Sequence, residues 1–324
     1  MPSLAPAANL SECEGPKYMN TIKPIRFLWR VSRNLLCVTD SGRRLLFPND
    51  LLASRFGRSD AEYAWGVFSH HLSQLTAAGF RSADRLMEVG PGRNLGTALL
   101  WWCFLTSDNE NKPVKIVCWD VFENAKPNIA GFWPALAKTL LASPAQSLEG
   151  GDMSAIRERL LEVAEGRVFP KIAYRVEPLI ELEKEMRSEG HTIGLVYSHA
   201  AIEHIWHIDE FWNVMGRLTS QDAWHSHRID LADHGRRESN YIEMLEWSRL
   251  GYWLTMRFVP GAINRWRACR HLAKISDIGF KILFQQRSQS YCLPVPLHQL
   301  SPEFRQLGEI ELRTTALDIV AIKE

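Results

Sequence analysis

The sequence predicts an α/β chain organised on a parallel sheet, and three observations carry that reading. First, Leu86-Met87-Glu88-Val89-Gly90-Pro91-Gly92-Arg93-Asn94-Leu95-Gly96 passes from an apolar run ending in an acid, through closely spaced glycines, into a helix-like run from Thr97 to Leu105. Second, Pro113 to Asp120 is another apolar run that ends in an acid. Third, Gly194 to His199, followed by a helical pattern from Ile208 to Leu218, repeats the order of strand and then helix. Glycines at such a turn allow backbone to approach a ligand, and exposed amides at the helix start hold a polar or anionic group.

Composition narrows the class. At 324 residues the chain is long enough to bury a large core without disulfides. A formal net charge of +1 supplies no general attraction to nucleic acid or to an anionic membrane. The six cysteines form neither C-x-x-C pairs nor a regular framework, so reduced thiols and a cytoplasmic location are expected. Met1 to Pro16 lacks the basic and apolar regions of a signal peptide, and no stretch reads as a membrane span. No membrane partner is expected. Of the twelve tryptophans, Trp101 and Trp102 read as core, while Trp206, Trp212, Trp247, Trp253 and Trp266 stay open between core packing and ligand stacking.

Taken in order, residues 1–59 read as a leader and a cap, set apart from a domain at 60–324. The cap, Thr21 to Phe47, mixes apolar residues with Arg30, Arg33 and other bases, as a solvated or an anion-binding face. A helix follows, with Ala64, Val67, His71, Leu75 and Ala78 at helical spacing, Asp60 as its cap and Gly79 as its stop. Lying just before the first strand, it brings Tyr63 toward a ligand at the glycine turn. Asp120, at the tip of the second strand, is well placed to accept both hydroxyls of a ribose. Phe122 to Phe169 is longer than a simple crossover needs and holds a helical run from Met153 to Ala164. Further strands are predicted at Lys171–Val176, Trp224–Leu231, around Ile278–Ile282, and at Thr314–Ile322. An insertion at about 236–270, with a helix-like stretch from Tyr241 to Met256, reads as a lid.

The spacing of the glycines separates two cofactors. Gly96 follows Gly92 by four residues, where a dinucleotide fingerprint wants three. The pattern E-x-G-x-G-x-x-x-G, together with the strand ending Ser198-His199 and the step Glu203-His204-Ile205, resembles motifs of the class I S-adenosylmethionine-dependent methyltransferases. The resemblance implies a Rossmann-like, seven-stranded, mostly parallel sheet with helices on both faces and S-adenosyl-L-methionine lying across the strand tips. The cofactor contacts read on this basis are Tyr63, Glu88, Gly90, Gly92, Asn94, Gly96, Asp120, Val121, Ser198, His199 and Glu203. One departure is plain: Thr219-Ser220-Gln221-Asp222 stands where many of these enzymes have a Pro-Gly-Gly turn.

Methyl transfer from a sulfonium is an in-line displacement, so the protein has to align the partners and take a proton from a hydroxyl or neutral amine. Histidines crowd the tips of the fourth and fifth strands. His199 or His234 is the expected general base, with Asp230 or Asp233 orienting an imidazole. Strand alternation puts His225 and His227 on one face and Ser226 and Arg228 on the other. His204, His227, Asn264, Arg265 and Arg267 are the expected acceptor contacts, although the two arginines read equally well as ties between lid and sheet. The His/Asp cluster is also chemically a metal site, but its spacing matches no compact metal motif and no metal is assigned.

The expectation is therefore a methyltransferase acting on a small-molecule or saccharide-like acceptor at oxygen. Two rivals stand beside it: a catalytically silent module of the same fold, and a nucleic-acid methyltransferase. The near-neutral charge and the absence of an Asn/Asp-Pro-Pro-aromatic motif count against the second.

Overall fold

The sheet grows outward from β1 (Arg85–Val89), which is paired on both sides by parallel strands. In the computed structural model, which describes residues 23–47, 61–92, 95–107, 112–121, 123–143, 153–235 and 239–324, seven strands run in the order β3-β2-β1-β4-β5-β7-β6. These are β2 (Lys115–Asp120), β3 (Ile172–Val176), β4 (Ile193–His199), β5 (Thr219–Asp230), β6 (Phe280–Gln289) and β7 (Thr314–Lys323). The first five are mutually parallel, and β7 inserts antiparallel between β5 and β6. The leader at 1–17, Asp60, Asn94 and the start of the lid at 236–238 lie outside the described residues.

Alternation along β1 divides the core. Leu86 faces a cluster built with α3 (Ala61–Ala77), α4 (Gly96–Thr106), α5 (Phe132–Ala142) and α6 (Met153–Ala164). Met87 and Val89 face a second cluster with α7 (Leu179–Ser188), α8 (Ile208–Leu218) and α10 (Ala268–Asp277). Helices therefore cover both faces, as parallel strands buried on two sides require. The helix α4 is apolar all round because it lies between the sheet and other helices, and it buries Trp101 and Trp102 as the sequence predicts.

The missing Pro-Gly-Gly turn has a local explanation. The helix α8 runs straight into β5, which begins five residues earlier than its apolar pattern suggests. The Thr219 hydroxyl donates to Met215 O at 2.8 Å, and Lys323 Nζ donates to the carbonyls of Gly216 and Thr219. Carbonyls left over at a helix end are thereby satisfied without glycine.

The lid departs from its predicted single helix. A 3-10 turn at Glu243–Leu245 precedes α9 (Arg249–Met256), because Ser248 starts a new helix by accepting a hydrogen bond from Gly251 N. Ile242, Met244, Leu245, Tyr252 and Ile263 form a small core with Leu300, Phe304 and Leu312. The cap, α1 (Lys23–Leu36) and α2 (Asp40–Leu46), docks on this lid. Arg30 pairs with Glu243 at 2.6 Å, and the Asn34 amide donates to Leu254 O and accepts from Phe258 N. Among the described residues no helix is long and apolar enough to cross a membrane, and no disulfide joins the cysteines.

Candidate active site

The strand order reverses direction between β1 and β4, so the connections leaving their carboxyl ends part and open a crevice, the place where open α/β sheets bind ligands. Backbone shapes this crevice. Gly90 and Gly92 leave β1 with φ of 69° and 76°, and Ala200, leaving β4, holds a φ of 51° that a side chain disfavours. A Cβ on Gly90 would sit 2.4 Å from the Ala201 side chain, so glycine is what lets the two exits lie against each other. A Cβ on Gly92 would meet nothing within 4 Å, so the space beside it is open. Leu95, with φ of 54°, turns the chain into α4 at Gly96.

One strand further out, Asp120 ends β2. Its Oδ1 accepts from Val121 N at 2.7 Å and its Oδ2 from the Asn124 amide at 2.9 Å. An acid fixed in this way at a strand tip suits a vicinal diol. Glu88 points into the α3/α4 side beside Cys118 and Tyr197, and burial pushes its carboxyl up to about 7. The open space at Gly92, the acid at the tip of β2 and the turn into α4 fit a nucleoside cofactor with an amino-acid end.

At the tips of β4 and β5 the histidines separate into three groups. His199 lies on the α3 side. Its ring stands edge-on to Tyr63 at 6.1 Å, and its Nδ1 lies 3.4 Å from His71 Nε2. His71 Nδ1 in turn bonds the Ser226 hydroxyl at 2.7 Å, and His70 bonds Asp318, which also holds Arg228. Burial, with the neighbouring His70, presses the His199 ring down to about 3, so it is neutral throughout the working range of pH. Helical spacing puts His71 on the apolar face of α3, where it meets His199. Nothing local signals a contact 128 residues apart.

The second group lies on the opposite face. His227 is fully buried, with Nδ1 2.8 Å from the Ser198 hydroxyl and Nε2 3.0 Å from His225 Nδ1, against Trp212. Two expectations need correction here: His227 packs in the core instead of lining an acceptor site, and the Ser198 side chain points away from the cofactor crevice. The alternation read along β5 is right, but the face carrying His225 and His227 is the one covered by α8.

The third group gathers at the tip. Glu203 and His204 sit on a 3-10 turn, Ile202–His204, after β4, and His234 follows β5. The rings of His204 and His234 are 5.1 Å apart, and His234 Nε2 lies 3.3 Å from Asp230 Oδ2. Asp233 turns aside and accepts from Gly235 N at 2.8 Å. Glu203, expected at the cofactor, joins this group instead.

The three lid residues expected at the acceptor serve the fold. Asn264 Nδ2 donates to Ile202 O and Ile205 O, and its Oδ1 accepts from Trp266 N, so it clamps the 202–205 turn. Arg265 donates to Trp247 O and Glu303 and stacks on Tyr252. Arg267 is buried and donates to the carbonyls of Leu231, Glu311, Leu312 and Thr314, tying the end of β5 to the start of β7. Carbonyls carry no sequence signal, so only the alternative of structural ties was legible.

No family model and no curated protein matches the chain. Solved structures do. The chain is similar to an S-adenosylmethionine-dependent methyltransferase from Mesorhizobium loti, at 14% identity over 78% of this chain and 96% of that one, with a TM-score of 0.37. Another is a geranyl diphosphate methyltransferase solved with SAM, at 11% identity over 82% and 85% of the two chains, with a TM-score of 0.39. A plantazolicin methyltransferase solved with SAH is 9% identical over 94% and 99%, with a TM-score of 0.42. Likeness this distant extends to the fold at most.

Proposed function

We propose that this chain is an S-adenosylmethionine-dependent methyltransferase that methylates a small-molecule or saccharide-like acceptor at oxygen, with His199 taking the proton. The observation that supports this best is the crevice at the switch point: two glycines at positive φ beside open space, with a fixed carboxylate one strand away. Gly90, Gly92 and Gly96 bear the amino-acid end of the cofactor, and Asp120 accepts its sugar hydroxyls. When bound, the cofactor supplies an activated methyl group.

The remaining work falls to side chains. Tyr63 stands over the methionine end and limits water there. His199 is neutral, so it has a lone pair for the acceptor's proton, and His71 with Ser226 fixes the orientation of its ring. His204 and His234 line the acceptor side.

Calorimetric titration with S-adenosylmethionine and with its demethylated product tests the reading. Both are expected to bind one site, and labelled methyl is expected to reach a hydroxyl-bearing compound in a panel of small acceptors. His199→Ala is expected to keep the binding and to lower turnover by about 100-fold or more. No binding by the parent protein ends the proposal; binding with no transfer across the panel favours the silent module.

A further inference from the structure

Glu203, His204 and His234 come from two different connections, yet each offers a ligand atom within 4.8 Å of the others. We propose that they form a site for one divalent transition-metal ion, supported by Asp230, and that the ion's open position takes the oxygen of the acceptor. The role assigned to the ion rests on the methyltransferase reading; the binding of the ion does not.

The tautomer of His204 is the first argument. Its Nδ1 lies 3.3 Å from the carbonyl oxygen of Ala262, which can only accept, so Nδ1 carries the proton. Nε2 is therefore the nitrogen suited to ligate a metal, and it faces Glu203 Oε1 at 4.0 Å. An imidazole nitrogen of this tautomer beside a carboxylate is a common pair of metal ligands. A backbone carbonyl holding the far nitrogen is also the usual support of a metal-bound imidazole.

Rigidity is the second argument. The Asn264 side chain grips the carbonyls on both sides of the Glu203–His204 pair, and its backbone N–H donates to Glu203 O. Across the gap, the Asp230 carboxylate stands 3.3 Å from His234 Nε2, and its Oδ1 accepts from Ala232 N. This is the carboxylate–imidazole support that accompanies metal-bound histidines. An ion bonded tetrahedrally at about 2.1 Å to each ligand holds such atoms about 3.4 Å from one another. Closure thus takes side-chain movements of about an ångström.

Chemistry and exposure set the kind of ion. Two imidazoles with a carboxylate favour zinc or iron over magnesium and calcium, which prefer all-oxygen sites. Glu203 is buried while His234 is exposed, so the ion has a protein side and an open side. An acceptor hydroxyl bound there would have its pKa lowered. This replaces the expectation, drawn from spacing alone, that no metal is held.

The test uses the full chain, stripped with a chelator and titrated with zinc chloride while the histidine ring nitrogens are followed by NMR. One equivalent is expected, with the His204 and His234 resonances shifting on binding. His204→Gln and His234→Gln are each expected to weaken zinc binding by about 10-fold or more, with affinity for S-adenosylmethionine unchanged. Absence of a stoichiometric site, or one equivalent bound with both resonances unmoved, overturns the proposal. The NMR reading needs only the parent protein, so it decides the matter even if the variants fail to fold. Cofactor binding without zinc binding refutes this site and leaves the methyltransferase reading standing; the reverse result upholds the site and removes its assigned role.

Discussion

The tips of β1 and β2 and the tips of β4 and β5 stand side by side but are made from different materials. The first pair is a backbone site: two glycines, an unusual dihedral at Leu95 and one acid fixed by its neighbours. The second is a side-chain site, where four strand-tip histidines and a partner from α3 go to three separate destinations. A backbone site is specified by local spacing. A side-chain site depends on which face a strand buries and on what distant element covers it.

The two halves respond oppositely to acid, and this is where the largest effect is expected. Burial holds His199, His227 and His271 down to about 3 and His204 to about 4, and lowers His71 and His225 as well. In the unfolded chain these rings protonate near pH 6.5 while the folded protein leaves them neutral. Stability is therefore fully present above that pH and is lost as pH falls below it. Glu88 has the opposite sign. With a folded value of about 7 it holds a proton that the unfolded chain releases above its ordinary 4.5, so it stabilises as pH falls through the same window. Thermal denaturation is expected to show a steep loss between pH 6.5 and 5, and Glu88→Gln is expected to make it steeper. A flat profile would mean that these rings are solvated and the two halves are not so different.

Arg267 tests the boundary between structure and site. Arg267→Met deprives four carbonyls of their donor, and chemical denaturation is expected to record a loss of about 3–5 kcal/mol. Unchanged stability with a weakened acceptor would return Arg267 to the acceptor site. Asp120→Ala probes the other half with a smaller effect. On the proposed reading, losing a charge-assisted contact to the ribose is worth about 1.5–3 kcal/mol, or about 10- to 100-fold in cofactor affinity by calorimetry. An equal loss of acceptor affinity would blur the division between the halves.

The same division explains what could be read from the sequence. The strands, the helices Met153–Ala164 and Ile208–Leu218, and the tips at Glu88 and Asp120 follow from apolar runs and punctuation, which are local. The fate of His227 was not legible, because both faces of β5 carry polar residues and only the cover of α8 decides which becomes core. Nor was the service of Arg265 and Arg267 to carbonyls, since every residue has one. The split of the lid into a turn and a short helix hinges on Ser248, a serine whose capping role is indistinguishable by type from the others in the chain.

One contact also constrains how the molecule assembles. Arg30 and Glu243 are 213 positions apart, so α1 has to wait for most of the polypeptide to be synthesised before its berth exists. A 14-residue helix is marginal alone in water, and joining such remote ends is entropically slow. The sheet can therefore consolidate first, with the opening helices arriving last. A chain cut off before Glu243 keeps its early strands and leaves α1 with nowhere to dock.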